Sequence, residues 1–122
     1  MNQLPYQLYK MTSQQQADLI IDHLEEALTF WQRLRGLLNH SKLPYNQGLW
    51  IKPCNNIHTF FMKFSIDCLF LDKKMVVKKI SKNIKPFRVA GPVWTAYSVI
   101  ELPTGKIEEF NIQPGDQLYV VN

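Results

Sequence analysis

Beyond the first third of this chain, the apolar residues come in short runs: GLWIKP, IHTFFMKF, DCLFLD, MVVKKIS, AYSVIEL and QLYVVN. Turn signals such as LPYNQG, DKK, AGP, LPTG and QPGD separate them. Runs of this length, rich in β-branched and aromatic residues, predict strands. Their spacing predicts a mainly β (α+β) fold, a small β-sandwich or barrel-like arrangement with one short helix packed on it.

The first third reads two ways. Ala17, Ile20, Leu24, Ala27, Trp31, Leu34 and Leu38 fall at helical spacing, yet ADLIIDHL is also a short strand pattern. Residues 29–39 are the firmer helix, with Thr29 at its N-cap and Trp31, Leu34 and Leu38 as its buried stripe. Near the C-terminus, TGKIEEFN predicts a single helical turn begun by Thr104 and closed before QPGD.

At 122 residues, 46% of them apolar, the chain is expected to form one domain (1–122) around one core. No apolar run is long enough to span a bilayer, and MNQLPYQLYK lacks the pattern of a secretory signal. A cytoplasmic location with reduced thiols is therefore expected. Two cysteines make no disulfide framework; on export, a Cys54–Cys68 bridge is the pairing available.

The net charge of +4 is unevenly spread. Residues 73–88, KKMVVKKISKNIKPFR, carry seven basic side chains, and no acid occurs from Lys73 until Glu101. Such a strip can steer an anionic partner, and it can equally be the lysine-guarded edge of a sheet. Sequence-specific nucleic-acid binding is not expected, because within the strip only Phe87 interleaves with the cations and no nucleic-acid motif is present.

The segment CNNIHTFFMKFSIDCLFLD combines a dense apolar stretch with Cys54, His58, Lys63, Asp67 and Cys68. Three chemistries fit these residues. Cys54 as nucleophile, His58 as base and Asp67 as orienting carboxylate would make a cysteine-dependent hydrolase or transferase. No Gly-x-Cys-x-Gly turn frames Cys54, however. Cys54, His58 and Cys68 could ligate a metal, but the spacing lacks the close pairs of structural zinc sites, so neither metal nor cofactor is expected. The third chemistry is a polar cluster of His58, Lys63 and Asp67 beside an aromatic concavity, a frame for a small ligand or a protein partner. The plain alternatives are that Cys68 is core, that His58 caps a strand end and that the lysines are solvated.

Several motifs also recur in a known order. RLRGLL, Pro53-Cys54, His58 to Lys63, Ile66-Asp67, Pro86 to Arg88, Glu101 to Gly105 and Gly115-Asp116 together resemble the bacterial and archaeal domain-of-unknown-function family 192 over about residues 27–118. The resemblance implies a compact, mainly β fold with a short helix near RLRGLL, and it favours ADLIIDHL as a strand. Ser65 stands where many members have proline, and Asn39-His40 replaces a common Gly-Arg or Gly-Lys. No activity is attached to the family, so the resemblance implies a fold rather than a reaction. The expectation is a module that binds a small molecule or a protein partner through His58, Lys63 and Asp67, with Arg35 and Arg88 as further anion anchors. A pure interaction subunit, docking acidic partners through the strip 73–88, is the remaining alternative.

Overall fold

The computed structural model describes residues 5–27, 42–60 and 62–122. The strands are β1 (Tyr6–Met11), β2 (Ala17–Ala27), β3 (Gln47–Ile51), β4 (Ile57–His58), β5 (Ile66–Leu71), β6 (Val77–Ile84), β7 (Val89–Ala90), β8 (Ser98–Pro103) and β9 (Leu118–Val121). One short helix, α1 (Lys106–Glu109), lies among the described residues. Seven strands form a sheet in the order β6-β5-β8-β3-β2-β1-β9, and β4 pairs with β7 in a separate small sheet. The fold is mainly β, with the large sheet curled into a half-barrel. The curl brings its two edges together at one end. Val77 N–H donates to Asp116 O at 2.9 Å, and Leu118 N–H donates to Met75 O at 3.0 Å.

Both faces of the sheet are covered. On one lie Leu8, Ile21, Leu24, Leu69, Ile100 and Leu102, packed with Ile107 and Ile112 from the α1 segment. On the other lie Leu49, Ile51, Ile66, Cys68, Phe70 and Val99, covered by Ile57, Met62 and Ala90 from the β4–β7 layer. Burial on two sides explains why every residue of β5 and of β8 is buried, giving near-continuous apolar runs rather than alternation.

Residues 17–27 are one strand, as the family resemblance implies and against their helical spacing. The cause is in the register. Tyr9 opposes Leu19 and Leu8 opposes Ile21, while Tyr6 opposes Leu24, so β2 carries two extra residues relative to β1. Each bulge resets which side chain faces the core, so Ile20, Ile21, Leu24 and Ala27 are all buried. That spacing imitates a helix. The helix expected over residues 29–39 and the anchor expected at Arg35 lie outside the described residues.

Two further local readings change. Among the described residues of IHTFFMKF only Ile57 and His58 are strand, and Met62 N–H donates back to Thr59 O at 3.2 Å. Thr59 and Met62 are buried while Phe60 is exposed, so the segment does not continue as the strand expected of IHTFFMKF. Helix α1 is capped by Gly105, at φ 100°, rather than by Thr104. The donors at its start are satisfied from afar, by Asp67.

Candidate functional site

Asp67 is the second residue of β5 and is 1% exposed. An ionised carboxylate there must have donors, because burial without them costs several kcal/mol. Among the described residues it has three, all from the backbone. Oδ1 accepts from Asn83 N–H at 2.8 Å, and Oδ2 accepts from Gly105 and Ile107 N–H, each at 3.1 Å. One side chain thus ties the end of edge strand β6, where Asn83 sits at φ 51°, to the start of α1. Asp67 works inward as a clamp between elements. Glu101 is also fully buried, in the middle of β8, between Leu49 of β3 and Cys68 of β5.

The two cysteines sit in different settings. Cys68 is buried in the core beneath the small sheet. Cys54 is half-buried, and its Sγ–H donates to Asn56 O at 2.9 Å. It lines a shallow cleft of about 250 Å³ with Pro53, Asn55, Ala96 and Tyr97. His58 is not part of that lining. Among the described residues no three His, Cys, Asp or Glu side chains converge as metal ligands.

His58 belongs to a different surface. In the β4–β7 pairing Ile57 opposes Ala90 and His58 opposes Val89. Ile57 and Ala90 pack onto the core, so the alternation of a strand turns His58 and Val89 outward. The His58 ring lies 5.2 Å from Phe60, and Phe60 lies 6.4 Å from Phe87, at interplanar angles of 30° and 33°. These neighbours make one continuous outer face: Val89, His58, Phe60 and Phe87. Phe60 is 40% exposed, Val89 60% and Phe87 64%.

The turn that carries Phe87 explains its exposure. Lys85-Pro86-Phe87-Arg88 places proline where a β-turn prefers it and gives Phe87 a φ of 63°. That is the pattern of a type II turn, whose third position normally takes glycine or asparagine. A bulky residue there costs about 1–2 kcal/mol. The turn persists because buried Thr59 bridges it. Its hydroxyl donates to Lys85 O at 2.6 Å and accepts from Arg88 N–H at 2.9 Å. Thr59 N–H donates to Arg88 O at 2.8 Å, and Phe87 N–H donates to Thr59 O at 3.2 Å.

Close to this face in sequence lie exposed cations. Lys63, Lys82, Lys85 and Arg88 are all exposed, and none has a carboxylate within ion-pair distance among the described residues. The Arg88 guanidinium reaches only Phe87 O, at 3.3 Å. Elsewhere Lys42, Lys73, Lys74 and Lys79 are also exposed without an ion pair among the described residues, whereas other cations are partnered. Lys78 lies 3.5 Å from Asp72, and Lys106 Nζ donates to Ile20 O at 2.9 Å over the Tyr45 ring. Burial pushes the Lys106 ammonium below its usual value, against the opposing pull of Glu109 and Asp22.

Of the residues singled out in the sequence, the structure thus gathers His58 and Arg88 at one face through Thr59. It leaves Lys63 exposed and holds Asp67 on backbone donors in the interior. Thr59, Phe60 and Phe87 are the additions. The signal was present in two motifs, His58 to Lys63 and Pro86 to Arg88, but nothing local shows that they meet.

Comparison with known proteins agrees with the architecture. The pattern of DUF192, described as uncharacterised, matches residues 10–120. A UPF0127 protein of Thermococcus sibiricus is 36% identical over 95 residues, 74% of this chain and 60% of the relative. A second, from Thermococcus gammatolerans, is 36% identical over 77% of this chain and 63% of its own length. The chain thus spans under two thirds of the length of these curated relatives. A solved Sinorhizobium meliloti protein, described as a candidate transcription regulator, superposes with a TM-score of 0.80 at 18% identity, covering 98% of this chain and 97% of that one. That likeness establishes the fold.

Proposed function

We propose that this chain, which belongs to the uncharacterised DUF192 family over residues 10–120, is a binding module whose recognition surface is the outer face of β4 and β7. Val89, His58, Phe60 and Phe87 form the contact area, and Arg88 and Lys63 supply charge beside it. The observation that carries this reading is Phe87. A phenylalanine held at φ 63° with 64% of its surface exposed forgoes both backbone comfort and burial. Strain retained with no gain in packing is expected where a surface is kept for a ligand. Asp67 serves the same surface indirectly, by fixing Asn83 two residues before Lys85.

The test is backbone amide mapping by NMR, with N-acetyltryptophanamide, benzoate and indole-3-acetate as probes. Shifts should concentrate on Thr59, Phe60 and residues 87–90. Shifts confined to Cys54, Asn55 and Tyr97 would move the site to the cleft and favour a second reading, in which the Cys54 thiol contacts the ligand. The cleft volume of about 250 Å³ is the observation behind that alternative.

A further inference from the structure

We infer that the partner of this face is an acidic protein segment carrying an apolar anchor side chain; this rests on the binding face proposed above and names its occupant. The first argument is charge. Lys63, Lys82, Lys85 and Arg88 stand exposed without a carboxylate partner among the described residues, whereas Lys10, Lys52, Lys78 and Lys106 each have one. Lys42, Lys73, Lys74 and Lys79 are likewise exposed without an ion pair among the described residues, but Lys85 and Arg88 flank Phe87 directly, so part of this uncompensated charge adjoins the aromatic face. No acid occurs between Asp72 and Glu101 to oppose them. Their field therefore favours an anionic partner and speeds its approach.

The second argument is the form of the apolar surface, which separates an acidic peptide from a nucleic acid. Single-stranded nucleic acid is held by aromatic rings whose open faces each take a base. Here His58, Phe60 and Phe87 lean on one another at 5.2 and 6.4 Å, so each ring partly covers the next. The aliphatic Val89 extends the same surface beside His58. An apolar centre flanked by charge is how protein interfaces are built, with anchor side chains in the middle and ion pairs at the margin. Arg88 is placed for that margin. Its backbone is pinned by Thr59 on both N–H and C=O, while its guanidinium stays exposed.

The experiment compares three fluorescent probes at a salt concentration of about 150 mM, where screening removes loose polyanion attraction. They are a short peptide alternating Glu and Trp, its Gln-for-Glu counterpart and single-stranded oligothymidine. The acidic peptide should bind about tenfold or more tighter than the Gln peptide, a difference Arg88→Gln should shrink. Phe87→Gly, which relaxes the backbone and keeps the fold by circular dichroism, should abolish binding of both peptides. Equal binding of the two peptides, still lost in Phe87→Gly, would overturn the acidic partner and leave the face standing. Acidic-peptide binding that survives both Phe87→Gly and Phe60→Ala would overturn the face itself. Tighter binding of oligothymidine, or binding of no probe, would also overturn the inference.

Discussion

Asp67 and Phe87 are opposites. One is a charged group inside the protein, 1% exposed; the other is a large apolar group outside it, 64% exposed. Each violates the ordinary sorting of residues, but only one violation is repaired within the molecule. Asp67 has three backbone donors, and in binding them it joins β5, the end of β6 and the start of α1. Phe87 rests beside Phe60 at a tilt of 33° on a turn held by Thr59, and its remaining surface meets water. A misfit that the fold satisfies is architecture. A misfit that the fold stabilises without satisfying is the better indicator of a site.

The contrast is sharpest in stability. Asp67→Ala leaves Asn83, Gly105 and Ile107 N–H without their acceptor in the interior. It should lower the unfolding free energy by about 3 kcal/mol in urea titration. A loss below about 1 kcal/mol would mean that water or relaxation replaces the carboxylate, and that the clamp is dispensable.

Thr59 lies between the two extremes, since it is buried yet serves the exposed face. Thr59→Val removes the hydroxyl that bridges Lys85 O and Arg88 N–H and should cost about 1–2 kcal/mol. Thr59→Ser should restore most of it. If valine lowers stability but leaves probe binding at Phe87 unchanged, the turn does not depend on the bridge for its shape.

Phe87→Gly should do the reverse of Asp67→Ala. Glycine adopts positive φ without strain and little packing is lost, so thermal stability should hold or rise by up to about 1 kcal/mol. Binding to the aromatic face should vanish at the same time. A clear fall in stability would show Phe87 to be a packing residue, and the comparison with Asp67 would collapse.

The smallest effect belongs to Asp72, at the turn between β5 and β6. The backbone N–H of Val76, aided by that of Lys74 and by the Lys78 ammonium, holds its carboxyl below the usual 3.8 against the cost of desolvation. A lowered folded value means stability that is present above about pH 4 and is lost as pH falls through the folded value. Asp72→Asn should therefore flatten the acid limb of the stability curve by less than about 1 kcal/mol, given partial screening by solvent. An unchanged limb would assign the acid response to other carboxylates.

The sequence by itself determined the mainly β class, the position of most strands and the order of the motifs. Turn chemistry and short apolar runs are local properties, so DCLFLD, SVIEL and QLYVV announce β5, β8 and β9 directly. It also singled out Asp67 as an acid within a dense apolar stretch. The tertiary structure alone decided which donors hold it, because Asn83, Gly105 and Ile107 lie 16, 38 and 40 positions away and contribute only backbone N–H groups, which every non-proline residue has. It decided the bulges of β2, since a bulge is a relation between two strands rather than a property of one. And it decided the candidate site: the Thr59 hydroxyl closes a turn 26 residues further on, so a strained phenylalanine and an arginine come to stand beside His58. Side-chain periodicity is written along the chain, whereas hydrogen-bond partners across such separations exist only after the sheet has curled.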